Sequence, residues 1–349
     1  MLQRLTVRNY RGLHDLTIKD LGRINVFTGQ NNAGKTSLLE ALWLLCGAAN
    51  ARMAANSYVI RDRDRGKPPA SWAETYWRPL FWHLDTGQNV RIAGYHSAVG
   101  DMELTVGWGR PLTTEVPRNE RTDKLTEANS AEPSLKFTYV DQQSGTIQSE
   151  ARETPEKFKF EQADNYIPFP SVILQPGAGN VNEDAIALGK LRTRKKGDKL
   201  LEALRVVEPK LSSVEDSSSS GAPMIWVDVG LPELVPLPVM GAGMTHVARL
   251  VLAAASVQGG IMLVDEIENG LHHSVLPDVW RVVEKVAQQF NVQVFVTTHS
   301  FECLEAALEA IGPDGFRLYR LEADDDVNRC MPYSSAAIGA AVRHNIEVR

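Results

Sequence analysis

Cysteine is scarce: three in 349 residues (Cys46, Cys303, Cys330), far apart and without C-x-x-C spacing. That excludes a disulfide scaffold and leads us to expect a reduced, cytoplasmic protein. No hydrophobic run is long enough to span a bilayer, since the longest, Val247 to Val257, is broken by Arg249. The opening MLQRLTVRNYRG lacks the apolar core of a signal peptide, so no membrane partner is expected. Neither sign of charge dominates. With 37 Lys and Arg against 43 Asp and Glu, the net charge is −6, which argues against coating nucleic acid through bulk charge but leaves room for a local basic patch. Internal repeats and sustained heptads are absent, excluding a solenoid and a long coiled coil. What remains is globular composition, 43% apolar with 26 glycines and 18 prolines, at a length suited to two domains or one large domain with insertions.

The pattern along the chain predicts short strands at Leu2–Thr6, Leu16–Ile18 and Arg23–Thr28. A helix follows from Lys35 to Cys46, apolar nearly all round and hence buried, with Gly47 as its C-cap. Two strand pairs are expected at Val90–Ala93 with Met102–Trp108 and at Leu135–Val140 with Thr146–Ala151, separated by a polar loop from Pro111 to Pro133. Trp72, Trp77, Phe81 and Trp82 fit a core or a partner surface better than a base-stacking platform. Helices are predicted at Glu183–Leu191 and Asp198–Val206, a loop at Asp216–Gly221, a strand at Met224–Val229 and a helix at Thr245–Val257. Ile261–Val264 is a continuous apolar run, as in a strand buried on both faces. An amphipathic helix, Ser274–Phe290, joins it to the strand Val292–Val296, a right-handed βαβ unit. The helix Phe301–Ile311 and strand Phe316–Leu321 complete an α/β pattern with a mainly parallel central sheet, an antiparallel β-subdomain and a helical lobe.

Three motifs carry chemistry. Gly29-Gln-Asn31-Asn32-Ala33-Gly34-Lys35-Thr36-Ser37 matches G-x4-G-K-[ST] between a predicted strand and a buried helix. Glycines let the loop curl so that main-chain N–H groups face phosphate oxygens, and the helix adds its positive end. Lys35 then reaches the β- and γ-phosphates, and the Thr36 hydroxyl coordinates Mg²⁺. Asp265-Glu266 follows the buried strand Ile261–Val264, where open α/β sheets bind ligands; Asp265 suits the metal and Glu266 the attacking water. Thr297-Thr298-His299-Ser300 ends the next strand, placing an imidazole where a γ-phosphate can be sensed.

In this order the motifs resemble ABC-class ATPase heads. Asp265-Glu-Ile-Glu-Asn-Gly-Leu-His272 with the later Thr-Thr-His-Ser resembles the OLD (overcoming lysogenization defect) family and the AAA-type ATPases of bacterial defence operons. Val7-Arg-Asn-Tyr-Arg11-Gly is similar to the start of structural-maintenance-of-chromosomes heads, whose basic residue approaches nucleotide. The resemblance covers residues 1–47 and about 170–349, leaving 48–170 as an insertion and antiparallel region, 171–240 as the helical lobe, and 241–349 as signature helix, acidic pair, histidine switch and terminal strands. It implies a single head that binds ATP with Mg²⁺ and dimerises head to tail with a second copy. In such a dimer Met240-Gly241-Ala242-Gly243-Met244 would cap the partner's γ-phosphate, although it lacks the serine of the transporter signature and also fits a flexible loop. Gln175 stands where such heads place a magnesium-touching glutamine, and equally fits a surface glutamine. Paired His272 and His273 are not read as a zinc site, because adjacent helical residues point apart. The chain ends at Arg349 without room for the nuclease domain typical of OLD proteins, so a separate effector, a nuclease or toxin, is expected. An ATP-gated DNA-binding clamp, related to structural-maintenance-of-chromosomes heads, is the alternative; the basic run Lys190, Arg192, Arg194, Lys195, Lys196 and Lys199 could meet phosphates or simply be solvated. A transporter subunit is disfavoured by the altered signature, and a GTPase by the lack of N-K-x-D.

Overall fold

The computed structural model describes residues 1–53, 71, 73–109, 133–154, 158–162, 166–177, 179–218, 221–324 and 327–343. The polar loop expected from Pro111, up to residue 132, lies outside the described residues, as does Trp72. The chain forms two compact units. The first comprises Met1–Gln3, Ile18–Leu39 and Phe169–Arg349, and the second Arg4–Thr17 and Glu40–Pro168.

The largest sheet has seven strands: β1 (Leu2–Tyr10), β2 (Leu13–Ile18), β4 (Val90–His96), β5 (Gly100–Gly109), β6 (Ser134–Asp141), β7 (Gly145–Glu153) and β8 (Phe158–Gln162), in the order β2-β1-β4-β5-β6-β7-β8. Each neighbouring pair from β4 to β8 is antiparallel. A mainly parallel sheet is therefore not the dominant one. The reason is local: Ser97–Val99 joins β4 to β5 and Gln142–Ser144 joins β6 to β7, and connections this short return a strand antiparallel beside its predecessor. Alternation places Val90, Ile92, Leu104, Val106, Leu135, Phe137 and Tyr139 in the core of this unit, with Trp77 and Phe81. Trp82 instead stacks on His14, ring centroids 5.1 Å apart.

The first unit contains a six-stranded sheet of β3 (Ile24–Thr28), β9 (Ser171–Leu174), β13 (Ile261–Val264), β14 (Gln293–Thr297), β15 (Arg317–Asp324) and β16 (Val327–Tyr333), ordered β16-β15-β3-β14-β13-β9. All neighbours are parallel except β15 and β16. A smaller antiparallel sheet joins β10 (Ser213–Ser217), β11 (Met224–Asp228) and β12 (Val235–Pro236). The loop expected at Asp216–Gly221 is thus partly strand: Asp216 and Ser217 pair with Ile225 and Met224 of the next strand, and that ladder overrides their turn-forming composition.

Seven α-helices are described: α1 (Lys35–Cys46), α2 (Val181–Thr193), α3 (Asp198–Leu204), α4 (Ala242–Ser256), α5 (Leu276–Gln289), α6 (Phe301–Ile311) and α7 (Ser335–Arg343). Helices α2 to α6 bury their apolar stripes with Val26, Val264, Val296 and Leu318 of the six-stranded sheet in one core. The sheet's alternate residues, Phe27, Phe295 and Tyr319, stack among themselves, with centroids 5.2 and 6.4 Å apart. Buried Gln293 bonds both the N–H and the carbonyl of Leu2, at 2.7 and 2.8 Å, tying the first residues to the middle of this unit.

Candidate functional site

The parallel strands β3, β14, β13 and β9 all end on the same side, each followed by a motif segment: Gly29–Ser37, Thr297–Ser300, Asp265–Glu266 and Gln175 respectively. Register does the alignment. Val264 is opposite Val296 and Leu174, so Asp265, Thr297 and Gln175 emerge at one level.

Gly29 opens the loop with φ 140°, and a Cβ there would lie 2.2 Å from the Leu321 carbonyl oxygen, so only glycine fits. Asn32 and Gly34 also adopt positive φ, 65° and 93°, which turns the chain into α1. Asn31 and Asn32 are exposed, while Ala33 and Ser37 are buried. Helix α1 begins at Lys35, so its first N–H groups have no intrahelical acceptor and are directed out of the helix end. The Lys35 ammonium donates to the carbonyls of Gly29 (2.7 Å) and Gln30 (2.9 Å). Burial holds it below the usual lysine value, opposed by the negative charges of Glu266, Asp265 and Glu268.

Asp265 is buried and accepts from the Thr36 hydroxyl at 2.9 Å and the Thr297 hydroxyl at 2.5 Å. Thr297 also accepts from the Glu266 N–H at 2.8 Å. This buried threonine was not singled out in the sequence, where His299 drew attention; the signal was its register opposite the acidic pair. Glu266 sits at φ 47°, with Asn269 Nδ2 donating to its carboxylate at 3.3 Å. His299, half exposed, directs Nδ1 to within 3.2 Å of Glu268 and 3.9 Å of Glu266. Lys35, Thr36, Asp265, Glu266 and His299 are thereby gathered at one sheet edge.

A cavity of about 430 Å³ adjoins the acidic pair, lined by Gln175, Thr245, His246, Arg249, Asp265 and Glu266 among others. Burial, aided by Arg249, pushes His246 down to about 4, so it is neutral above that pH. Gly241 (φ 98°) is the N-cap of α4 and Gly243 lies in its first turn. Neither lines the cavity, although Ala242 between them does. In the second unit Arg11 pairs with Glu40 at 2.7 Å, both nearly enclosed. His272 precedes a short 3-10 helix as its N-cap, so the rings of His272 and His273 lie 4.1 Å apart instead of diverging. Within the basic run, Arg192 binds Glu215 and Asp216, Lys199 pairs with Glu202, and Lys196 bonds Gln258. No described helix is long and apolar enough to cross a membrane.

Residues 110–305 match the family described as "AAA domain, putative AbiEii toxin, Type IV TA system", and residues 1–71 match an AAA ATPase domain. An "ATP/GTP phosphatase" of Helicobacter pylori is 25% identical, with 93% of each chain covered. The DNA replication and repair protein RecF of Azotobacter vinelandii is 33% identical over 105 residues, which is 30% of this chain and 26% of that protein. Among solved structures, an SMC head bound to the C-winged helix domain of ScpA is similar with a TM-score of 0.53 and 12% identity, covering 95% of this chain and 98% of that one. The fold is thus that of an SMC-like α/β P-loop head. With more than half its length matched, the chain belongs to that AAA-domain family and is a P-loop ATPase.

Proposed function

We propose that the chain is an OLD-like, ABC-type head that hydrolyses ATP with Mg²⁺, closes head to tail on a second copy, and uses that closure to switch a separate effector. The observation that carries the reading is the contact of Thr36 with Asp265, 229 residues apart in sequence, at 2.9 Å. A hydroxyl and a carboxylate side by side, with the Gln175 amide on the same cavity, are hard oxygen donors of the kind Mg²⁺ takes. Few protein ligands are needed, because this ion keeps waters and substrate phosphates. When bound, it would neutralise charge on the β- and γ-phosphates.

The chain's own groups do the rest. Lys35 exchanges the two loop carbonyls for phosphate oxygens, and the N–H groups of Gly29–Ser37, Asn31 to Gly34 included, surround the phosphates. Glu266, held by Asn269 and by Thr297 through its N–H, takes a proton from the attacking water. His299 contacts the γ-phosphate and reports its presence. Gly241 and Gly243 of a second copy present the free N–H groups of α4 to that phosphate, so ATP favours the closed pair and cleavage releases it. A dimer of this kind and an effector acting in bacterial defence are what the OLD resemblance implies. The family's description, which names a toxin, fits that setting. The similar SMC head was solved with a bound domain of another protein, in keeping with a separate partner.

Glu266→Gln with ATP is expected to trap a dimer, read by light scattering, while Lys35→Ala abolishes turnover. A persistent monomer counts against trans closure, and near wild-type hydrolysis in Lys35→Ala refutes the site assignment. A second reading, an ATP-gated DNA clamp, is favoured by the SMC-like fold and the RecF match. Of the basic run, Lys190, Arg194 and Lys195 have neither an ion pair nor a side-chain hydrogen bond among the described residues, a smaller patch than the sequence offers. ATP hydrolysis accelerated by duplex DNA, and lost on reversing those three charges, would support the clamp.

A further inference from the structure

Glu268 lies three residues beyond Asp265, and the chemistry of the phosphate loop makes no demand on it. Its side chain is only 10% exposed, and Oε2 has no hydrogen-bond partner among the described residues. Burying a carboxylate with one oxygen unanswered is costly, so the other oxygen should carry strong compensating contacts. It does: Oε1 accepts the backbone N–H of His299 at 2.9 Å and lies 3.2 Å from its Nδ1.

The turn explains how this comes about. Glu266 adopts φ 47°, Asn269 N–H closes onto the Glu266 carbonyl at 2.8 Å, and Leu271 N–H onto that of Glu268 at 3.0 Å. Ile267, fully buried, pins the turn from within. Glu268 is thereby directed to the end of β14, and Asn269 to Glu266. The imidazole has two carboxylates to choose between, and Glu266, at 3.9 Å, is beyond hydrogen-bond reach.

We propose that Glu268 is a positioning residue for His299: accepting from both its backbone N–H and its Nδ1–H, it orients the ring with Nε2 toward the terminal phosphate, to which Nε2–H donates from the imidazolium, and keeps the ring from engaging Glu266. A carboxylate at one imidazole nitrogen makes that nitrogen the donor and sets the role of the other. The proposal rests on the reading of His299 as the phosphate sensor.

The test uses the full chain and four variants: Glu268→Ala, Glu268→Gln, His299→Ala and the Glu268→Ala/His299→Ala pair. In ¹⁵N-histidine-labelled protein, the His299 nitrogen shifts should report Nδ1 protonated in the nucleotide-free wild type, both nitrogens protonated with a non-hydrolysable ATP analogue bound, and a mixture of tautomers in nucleotide-free Glu268→Ala. Turnover of ATP in Glu268→Ala should fall about tenfold or more with KM little changed, as for loss of a group orienting a functional histidine. Glu268→Gln, which keeps an acceptor, should recover part of the loss, and the double variant should be no slower than His299→Ala. Wild-type kcat in Glu268→Ala, additive losses in the double variant, or a nucleotide-free wild-type ring protonated on Nε2 alone would each overturn the proposal. Should Glu268→Ala fail to fold, the isosteric Glu268→Gln and the wild-type spectrum still decide. Slow His299→Ala beside a fast Glu268→Ala removes this proposal alone, whereas undiminished kcat in His299→Ala removes the sensor reading as well.

Discussion

Replacing Thr297 with valine keeps shape and volume but deletes one hydroxyl that serves both acidic residues. The side chain is fully buried, donates to Asp265 at 2.5 Å and accepts from the Glu266 N–H at 2.8 Å. A hydrogen bond to a charged group contributes about 1.5–3 kcal/mol, and an N–H left unanswered costs about 1–3 kcal/mol. Partial relaxation and water at Glu266 reduce the sum, so Thr297→Val should destabilise the protein by about 2–4 kcal/mol. For a chain of 349 residues that lowers the melting temperature by about 3–5 °C, measurable by calorimetry. If half of the lost free energy is also lost from the transition state, kcat falls about fivefold to thirtyfold. Affinity for a fluorescent ATP analogue should barely change, because Lys35 and the loop amides are untouched. Thr297→Ser, which restores the hydroxyl, should recover turnover. A Thr297→Val protein with wild-type melting and wild-type kcat would refute this account of how the acidic pair is held.

Two further predictions concern the second unit. Arg11→Met takes the guanidinium from the Glu40 carboxylate, only 1% exposed, leaving it the longer bond from the Tyr10 hydroxyl at 3.4 Å among its contacts, and should cost about 2–4 kcal/mol in denaturant unfolding. Arg11→Met/Glu40→Leu should regain most of that, and its KM for ATP then tests the nucleotide contact that the family resemblance implies for Arg11: an unchanged KM removes Arg11 from the site. Asp141 accepts from Gln143 N, Ser144 N, Ser144 Oγ and Tyr166 Oη at 2.6 to 2.8 Å. Burial alone would raise its carboxyl, but the bonds from Ser144 and Tyr166 prevail and hold it below the usual value of 3.8. A carboxyl depressed on folding stabilises the protein above its unfolded value and loses that contribution as pH falls through the folded one. The stability gap between wild type and Asp141→Asn should therefore be full above about pH 5 and close progressively below 3.8; a gap independent of pH would contradict it.

Much of the site was legible because it is local. Gly29 to Ser37 announces a phosphate loop through glycine spacing, and α1 runs from Lys35 to Cys46 as its apolar pattern predicts. The strand Ile261–Val264 was equally plain, since a four-residue apolar run buried on both faces has no polar alternation to blur it. Other elements were hidden for physical reasons. Val327–Tyr333 carries Asn, Arg and Pro, and is a strand because it pairs with β15 at the sheet edge. The serine-rich Ser213–Ser217 depends in the same way on β11.

Sequence alone determined the chemical parts, because a glycine-rich turn, an acidic pair after a buried strand and a histidine at the next strand end are each specified within a few residues. Which parts meet was decided by tertiary structure. Strand order sets β14 between β3 and β13, and only that order brings Thr297 against Asp265 and draws Glu268 to His299, 31 residues away. The antiparallel sheet is part local and part not: short turns return β5 beside β4 and β7 beside β6, but the pairing of β5 with β6 across more than twenty residues, which joins the two hairpins into one dominant sheet, is not written in either strand's composition.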